Sequence, residues 1–132
     1  MDTNVSILAA SGLGLTWPIL QFIIGLGLMV FVHELGHFLA AKWVGIKVER
    51  FALGFGPRVL GVKWGETDYC INLLPLGGYI KMLGQDDFKP TKEGDRAASG
   101  SFESKSVGAR FAVISAGVIM NMIFDFLMAV VA

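Results

Sequence analysis

A chain of 132 residues has room for one small domain and not for a large membrane enzyme. Its residues are 54% hydrophobic and only 17% charged, and a mean hydropathy of +0.62 sets it apart from the average soluble domain and points to a membrane. Eleven basic residues balance eleven acidic ones, and no basic run is interleaved with aromatics, which argues against nucleic acid as a partner.

Residues 1–14 are assigned to an extracytoplasmic amino-terminal tail that carries no readable structural signal. An apolar run over 15–44 follows, long enough for a first transmembrane helix, since about 20 apolar residues suffice. It has no basic leader and is too long for a cleaved signal peptide. Inside this run stands His33-Glu34-Leu35-Gly36-His37. On a helix the two histidines are four residues apart, so both imidazoles leave one face and can hold a single Zn²⁺, with Glu34 beside them to take a proton from activated water. These are the only two histidines in the chain. An ionisable trio at that depth is costly unless it is paired, metal-bound or facing a polar cavity, so it is a functional candidate.

Residues 45–84 read as a membrane-associated β-hairpin region. Apolar and polar side chains alternate over 67–73, and 58–64 and 78–83 also read as short strands, with Gly65-Glu66 and Pro75-Leu76-Gly77 as turns. A small antiparallel sheet is predicted. Alternation does not report depth, so two settings stand side by side: a sheet dipping into the membrane interface, and a surface hairpin. Within it the single cysteine, Cys70, excludes an internal disulfide and reads as a small apolar filler.

The stretch 85–108 is charged and poor in apolar residues over its first half, and is predicted to be a flexible, exposed connector. A second transmembrane helix is predicted over 109–132, interrupted by Asn121 and Asp125. All eleven lysines and arginines lie from Lys42 to Arg110. The positive-inside bias therefore puts the loop 45–108 in the cytoplasm and both termini outside. The fold class that results is a mainly α membrane protein: two transmembrane helices, a small membrane-associated antiparallel β-hairpin or sheet, and a connector.

The ordered set His33-Glu34-Leu35-Gly36-His37, Gly54-Phe55-Gly56-Pro57, Leu74-Pro75-Leu76-Gly77-Gly78-Tyr79-Ile80-Lys81-Met82, Lys105-Ser106 and Ser115-Ala116-Gly117 with Asn121 resembles the amino-terminal part of a site-2 protease, of the bacterial type that cleaves anti-sigma factors. Soluble zinc proteases share the first motif but not the hairpin after it. The resemblance implies an intramembrane zinc metalloendopeptidase in the bacterial inner membrane. It would cut transmembrane segments of membrane-bound regulators such as an anti-sigma factor. His33 and His37 become metal ligands and Glu34 the general base. The family's third ligand is an aspartate in a Leu-Asp-Gly type motif on a further helix, and the bacterial type carries PDZ modules before that helix. Neither occurs in these 132 residues, so the chain reads as a fragment with little activity by itself. Asp125 shares a helix face with Asn121, but the resemblance places the ligand on a different helix. Val118 stands where the family commonly has proline.

A transmembrane substrate must be unwound before its carbonyls can be attacked, and its freed backbone groups then need partners. Strand addition to the sheet supplies them, with Gly54, Phe55, Gly56, Gly77 and Gly78 as substrate-binding candidates because glycine permits close backbone approach. The competing reading of these glycines is plain turn formation. Asn121, by resemblance, hydrogen-bonds substrate or the transition state; its competing role is a helix-packing amide. Two other readings of the whole chain are a non-catalytic membrane protein that binds without cutting, and a soluble zinc protease, against which the two spans and the placement of basic residues speak.

Overall fold

The computed structural model describes residues 3–85, 90 and 92–131. Two helices carry the apolar runs. The first, α1, covers Thr3–Trp43 and so includes residues 3–14, where the sequence carries no readable signal. Its part Gly14–Trp43, and the last helix, are both long and apolar enough to cross a membrane. Large side chains such as Leu15, Trp17, Phe22, Phe111 and Phe126 lie exposed on them. Such a surface is unfavourable in water and favourable in hydrocarbon.

Helix α1 stops where glycine lets the chain reverse. Gly45 has φ +74°; its N–H donates to the Lys42 carbonyl at 3.2 Å, and Ile46 N–H donates to the Ala41 carbonyl at 2.8 Å. This pair of bonds closes the helix end with a left-handed residue. Ile46 is thereby turned inward and is fully buried against Ala41.

Two long strands follow, β1 over Val48–Trp64 and β2 over Thr67–Met82, joined by a turn at 65–66. The three short strands expected from the sequence are pieces of these two, and Pro75-Leu76-Gly77 is an irregularity inside β2 instead of a turn. The pairing is antiparallel overall, but β1 is used twice. Trp64 to Arg58 pairs with Thr67 to Asn72, while Arg50 to Leu53 pairs with Lys81 to Gly78 on one side and with Asp68 to Ile71 on the other. The inner stretch 50–53 is therefore flanked on both sides, and the two long strands fold into a compact sheet. Glycines make the bend. Gly54, Gly56 and Gly77 have φ values of +81°, +85° and +115°. A Cβ on Gly54 would also strike the Leu74 carbonyl oxygen, and the Gly54 carbonyl accepts from buried Asn72 Nδ2 at 3.0 Å.

The sheet is seated against α1 by aromatic packing. Phe38 meets Phe51 edge-on at 5.4 Å and Tyr69 at 5.9 Å, and Phe31 meets Phe51 at 6.1 Å. The core proper lies at the carboxyl end of α1, where Ala41, Ile46, Val48, Met82, Phe102 and Val113 are buried together.

Phe102 comes from the segment expected to be an exposed connector, and that expectation is corrected over its second half. After the short helix α2, Glu93–Ala97, the chain is stitched to the sheet by Lys47 N–H to Gly100 O at 2.9 Å and Phe102 N–H to Leu83 O at 2.7 Å. Ser101 is fully buried and its Oγ donates to the Arg96 carbonyl at 2.6 Å. One apolar side chain, Phe102, supplies the anchor that average polarity hides. Residues 86–89 and 91 of the same expectation lie outside the described residues.

The last helix, α3, covers Val107–Val131 and is capped by Ser106, whose Oγ accepts the Ala109 N–H at 3.2 Å. It crosses α1 at small residues. A Cβ placed on Gly36 would fall 2.5 Å from the Ala116 carbonyl oxygen, so only glycine permits this approach.

Candidate metal centre

The helical spacing of His33 and His37 does what it should: both rings leave one face of α1 and their Nε2 atoms stand 3.2 Å apart. Two nitrogen ligands at 2.0–2.1 Å from a tetrahedral zinc ion are separated by about 3.3 Å. The rings are edge-to-face, with centroids 4.8 Å apart. Helix α3 faces this pair with residues at a four-residue spacing. His37 Nδ1 lies 2.7 Å from the Val113 carbonyl oxygen, and the Asn121 amide lies 3.2 Å from His33 Nδ1. The outer nitrogen of each ring is thus engaged, and the two inner ones converge. Between Val113 and Asn121, Gly117 is buried; a Cβ there would fall 2.5 Å from His37 Nε2 and 2.7 Å from His33 Nε2. The missing side chain leaves open the space that both Nε2 atoms border. Asn121 Oδ1 is buried with no hydrogen-bond partner among the described residues. Converging imidazole nitrogens, a glycine-made space and an orphaned acceptor beside a ligand ring together fit a metal ion with two histidine ligands. Among the described residues no third histidine, cysteine or carboxylate joins them, and Asp125 lies exposed on α3.

Glu34 projects beside His37 into a cavity of about 410 Å³. Its far wall is the sheet: Phe55 and the stretch Gly78, Tyr79 and Ile80. A Cβ on Gly78 would sit 3.5 Å from Glu34 Cγ and 2.8 Å from the Ala52 carbonyl oxygen, so the absence of a side chain brings the strand close to the motif. Phe55 stacks on Tyr79 at 6.3 Å with 17° between the rings. The ring of Phe55 also occupies the place a Cβ on Gly77 would need. Tyr79 is held from behind by Arg50, whose hydrogen bond to it raises the guanidinium pKa above its ordinary value. Of the residues singled out in the sequence, His33, His37 and Asn121 meet directly, and Glu34, Phe55 and Gly78 share the cavity. Gly77 supports Phe55 from beneath. Gly54 and Gly56 shape the bend that carries Phe55 and do not line the cavity. Val113 and Gly117 were not anticipated as parts of the centre. The one signal was their spacing, four and eight residues before Asn121.

Comparison with known proteins agrees in one direction. The profile of peptidase family M50 matches residues 21–132. The regulator of sigma-E protease RseP of Salmonella typhimurium is 44% identical over 117 residues, 85% of this chain and 24% of that protein. The protein of the same name from Escherichia coli K12 is 43% identical over the same shares. A Clostridium acetobutylicum protein whose name contains the words zinc metalloprotease is 46% identical over 101 residues, 76% of this chain and 28% of that protein. The chain spans about a quarter of the length of these curated relatives.

Proposed function

The chain belongs to peptidase family M50, and on that premise we propose that it forms the zinc-binding core of an intramembrane metalloendopeptidase that cuts transmembrane segments of membrane-bound regulators. What supports the reading most is the convergence of His33 Nε2 and His37 Nε2 at 3.2 Å beside Glu34. His33 and His37 hold zinc together with a ligand from another part of the full-length protein. When bound, zinc polarises the scissile carbonyl and lowers the pKa of water at the site. Glu34 accepts the proton of the attacking water and delivers it to the leaving amine.

The sheet margin receives the substrate. An unwound transmembrane segment lies along the strand at Gly78, beside Phe55, which the bend at Gly54 and Gly56 and the bare Gly77 hold in place, so that its backbone groups find partners out of water. Such recognition depends little on side chains. The names of the relatives tie those proteins to the regulation of sigma-E; we propose a membrane-bound regulator such as an anti-sigma factor as the substrate class, and we place the protein in the bacterial inner membrane with the segment 45–108 on the cytoplasmic side.

The test uses the full-length protein in detergent, incubated with a membrane-spanning reporter before and after zinc chelation. Cleavage that stops on chelation and returns with added zinc is expected. An intact reporter in a protein that carries stoichiometric zinc would mark a binding protein that does not cut.

A further inference from the structure

We propose that Asn121 is the positioning residue of His33: its side-chain oxygen receives the His33 Nδ1–H and so leaves Nε2 to the metal. The inference rests on the zinc reading above. It begins with His37, whose Nδ1 faces the Val113 carbonyl at 2.7 Å. A carbonyl only accepts, so neutral His37 keeps its proton on Nδ1 and presents a lone pair at Nε2. The contact of 3.2 Å between the two Nε2 atoms then needs a proton from His33. That leaves His33 Nδ1 as an acceptor, and Asn121 Nδ2, 3.2 Å away, donates to it. The hydrogen bonds run one way, from Asn121 through His33 and His37 to Val113. In this state Asn121 Oδ1 is buried and has no hydrogen-bond partner among the described residues.

Metal ligation requires lone pairs on both Nε2 atoms, so the His33 proton moves to Nδ1. The neighbour of Nδ1 must then accept. A half-turn of the Asn121 amide exchanges Nδ2 for Oδ1 at the same distance, and the oxygen orphaned in the first state becomes the acceptor of the second. A side chain that both donates and accepts fits the two states; one with neither group fits none. Asn121 therefore sets the tautomer and direction of one ligand without touching the reacting atoms.

The test compares parent, Asn121→Leu and Asn121→Asp in the full-length protein, reading zinc affinity by chelator competition and the His33 tautomer by ¹⁵N imidazole shifts. Asn121→Leu is expected to weaken zinc about 10- to 100-fold. Asn121→Asp keeps an acceptor and restores most of that loss. Equal zinc affinity in parent and Asn121→Leu overturns the proposal and returns Asn121 to substrate contact. A parent that takes up no zinc overturns the proposed function instead. The metal-free spectra then decide this inference alone: a His33 Nδ1 resonance that carries the signature of an accepted hydrogen bond in the parent and loses it in Asn121→Leu supports it, and an Nδ1 resonance that is the same in both overturns it.

Discussion

His37 and Val113 are joined by a contact of 2.7 Å between an imidazole Nδ1 and a main-chain carbonyl 76 residues away. The carbonyl cannot change its protonation and belongs to a helix, so it fixes both the tautomer and the direction of the ring. Helix α3 thereby acts as a template for the motif on α1. Val113, Gly117 and Asn121 present one face, and each bears on His33 or His37.

Glu34→Gln removes the proposed proton acceptor and keeps the shape of the side chain. Reporter cleavage by the full-length protein is expected to fall at least about 100-fold, the lower range for general acid–base catalysis, while bound zinc is unchanged. Cleavage at the parent rate would remove Glu34 from the mechanism.

Gly117→Ala adds the smallest possible side chain, and its Cβ would fall 2.5 Å and 2.7 Å from the two Nε2 atoms. Alanine favours helix over glycine by about 1 kcal/mol, so helix content should hold while zinc stoichiometry drops. Circular dichroism and metal analysis on one sample read both. Full zinc occupancy in this variant would mean that the metal does not sit between the rings and α3.

Gly36→Ala tests the crossing of the two helices. The new Cβ would meet the Ala116 carbonyl oxygen at 2.5 Å and Met120 Cβ at 2.9 Å, and backbone on both sides prevents relief by a rotamer change. A loss of about 1–3 kcal/mol is expected from overpacking, seen as a lower unfolding temperature in detergent. An unchanged transition would show that α1 and α3 separate freely.

Cys70 is buried in β2, and burial pushes its thiol above the ordinary range. Alkylation proceeds through the thiolate, so the folded protein at pH 8 should react far more slowly with iodoacetamide than the denatured protein. Equal rates would place Cys70 at an accessible surface.

Much was legible in the sequence because it is local. The four-residue spacing of His33 and His37 becomes a common helix face through helical periodicity alone, and the two apolar runs are long enough to declare themselves. Alternation over 67–73 marked β2, but the folding of β1 and β2 against each other was hidden, since register in a bent sheet depends on where Gly54, Gly56 and Gly77 turn the backbone. The packed segment around Phe102 was hidden for a similar reason: a single buried aromatic outweighs a polar surrounding only once there is a core to receive it.

The sequence by itself determined the chemistry on offer: two imidazoles, a carboxylate and their shared face in an apolar helix. Only the tertiary structure decided which nitrogen of each ring is left for a metal. That choice depends on acceptors and donors brought from 76 and 88 residues away, and on a glycine that keeps the space between them open. Spacing along one helix sets where side chains start, whereas hydrogen bonds from its neighbour set which way they point.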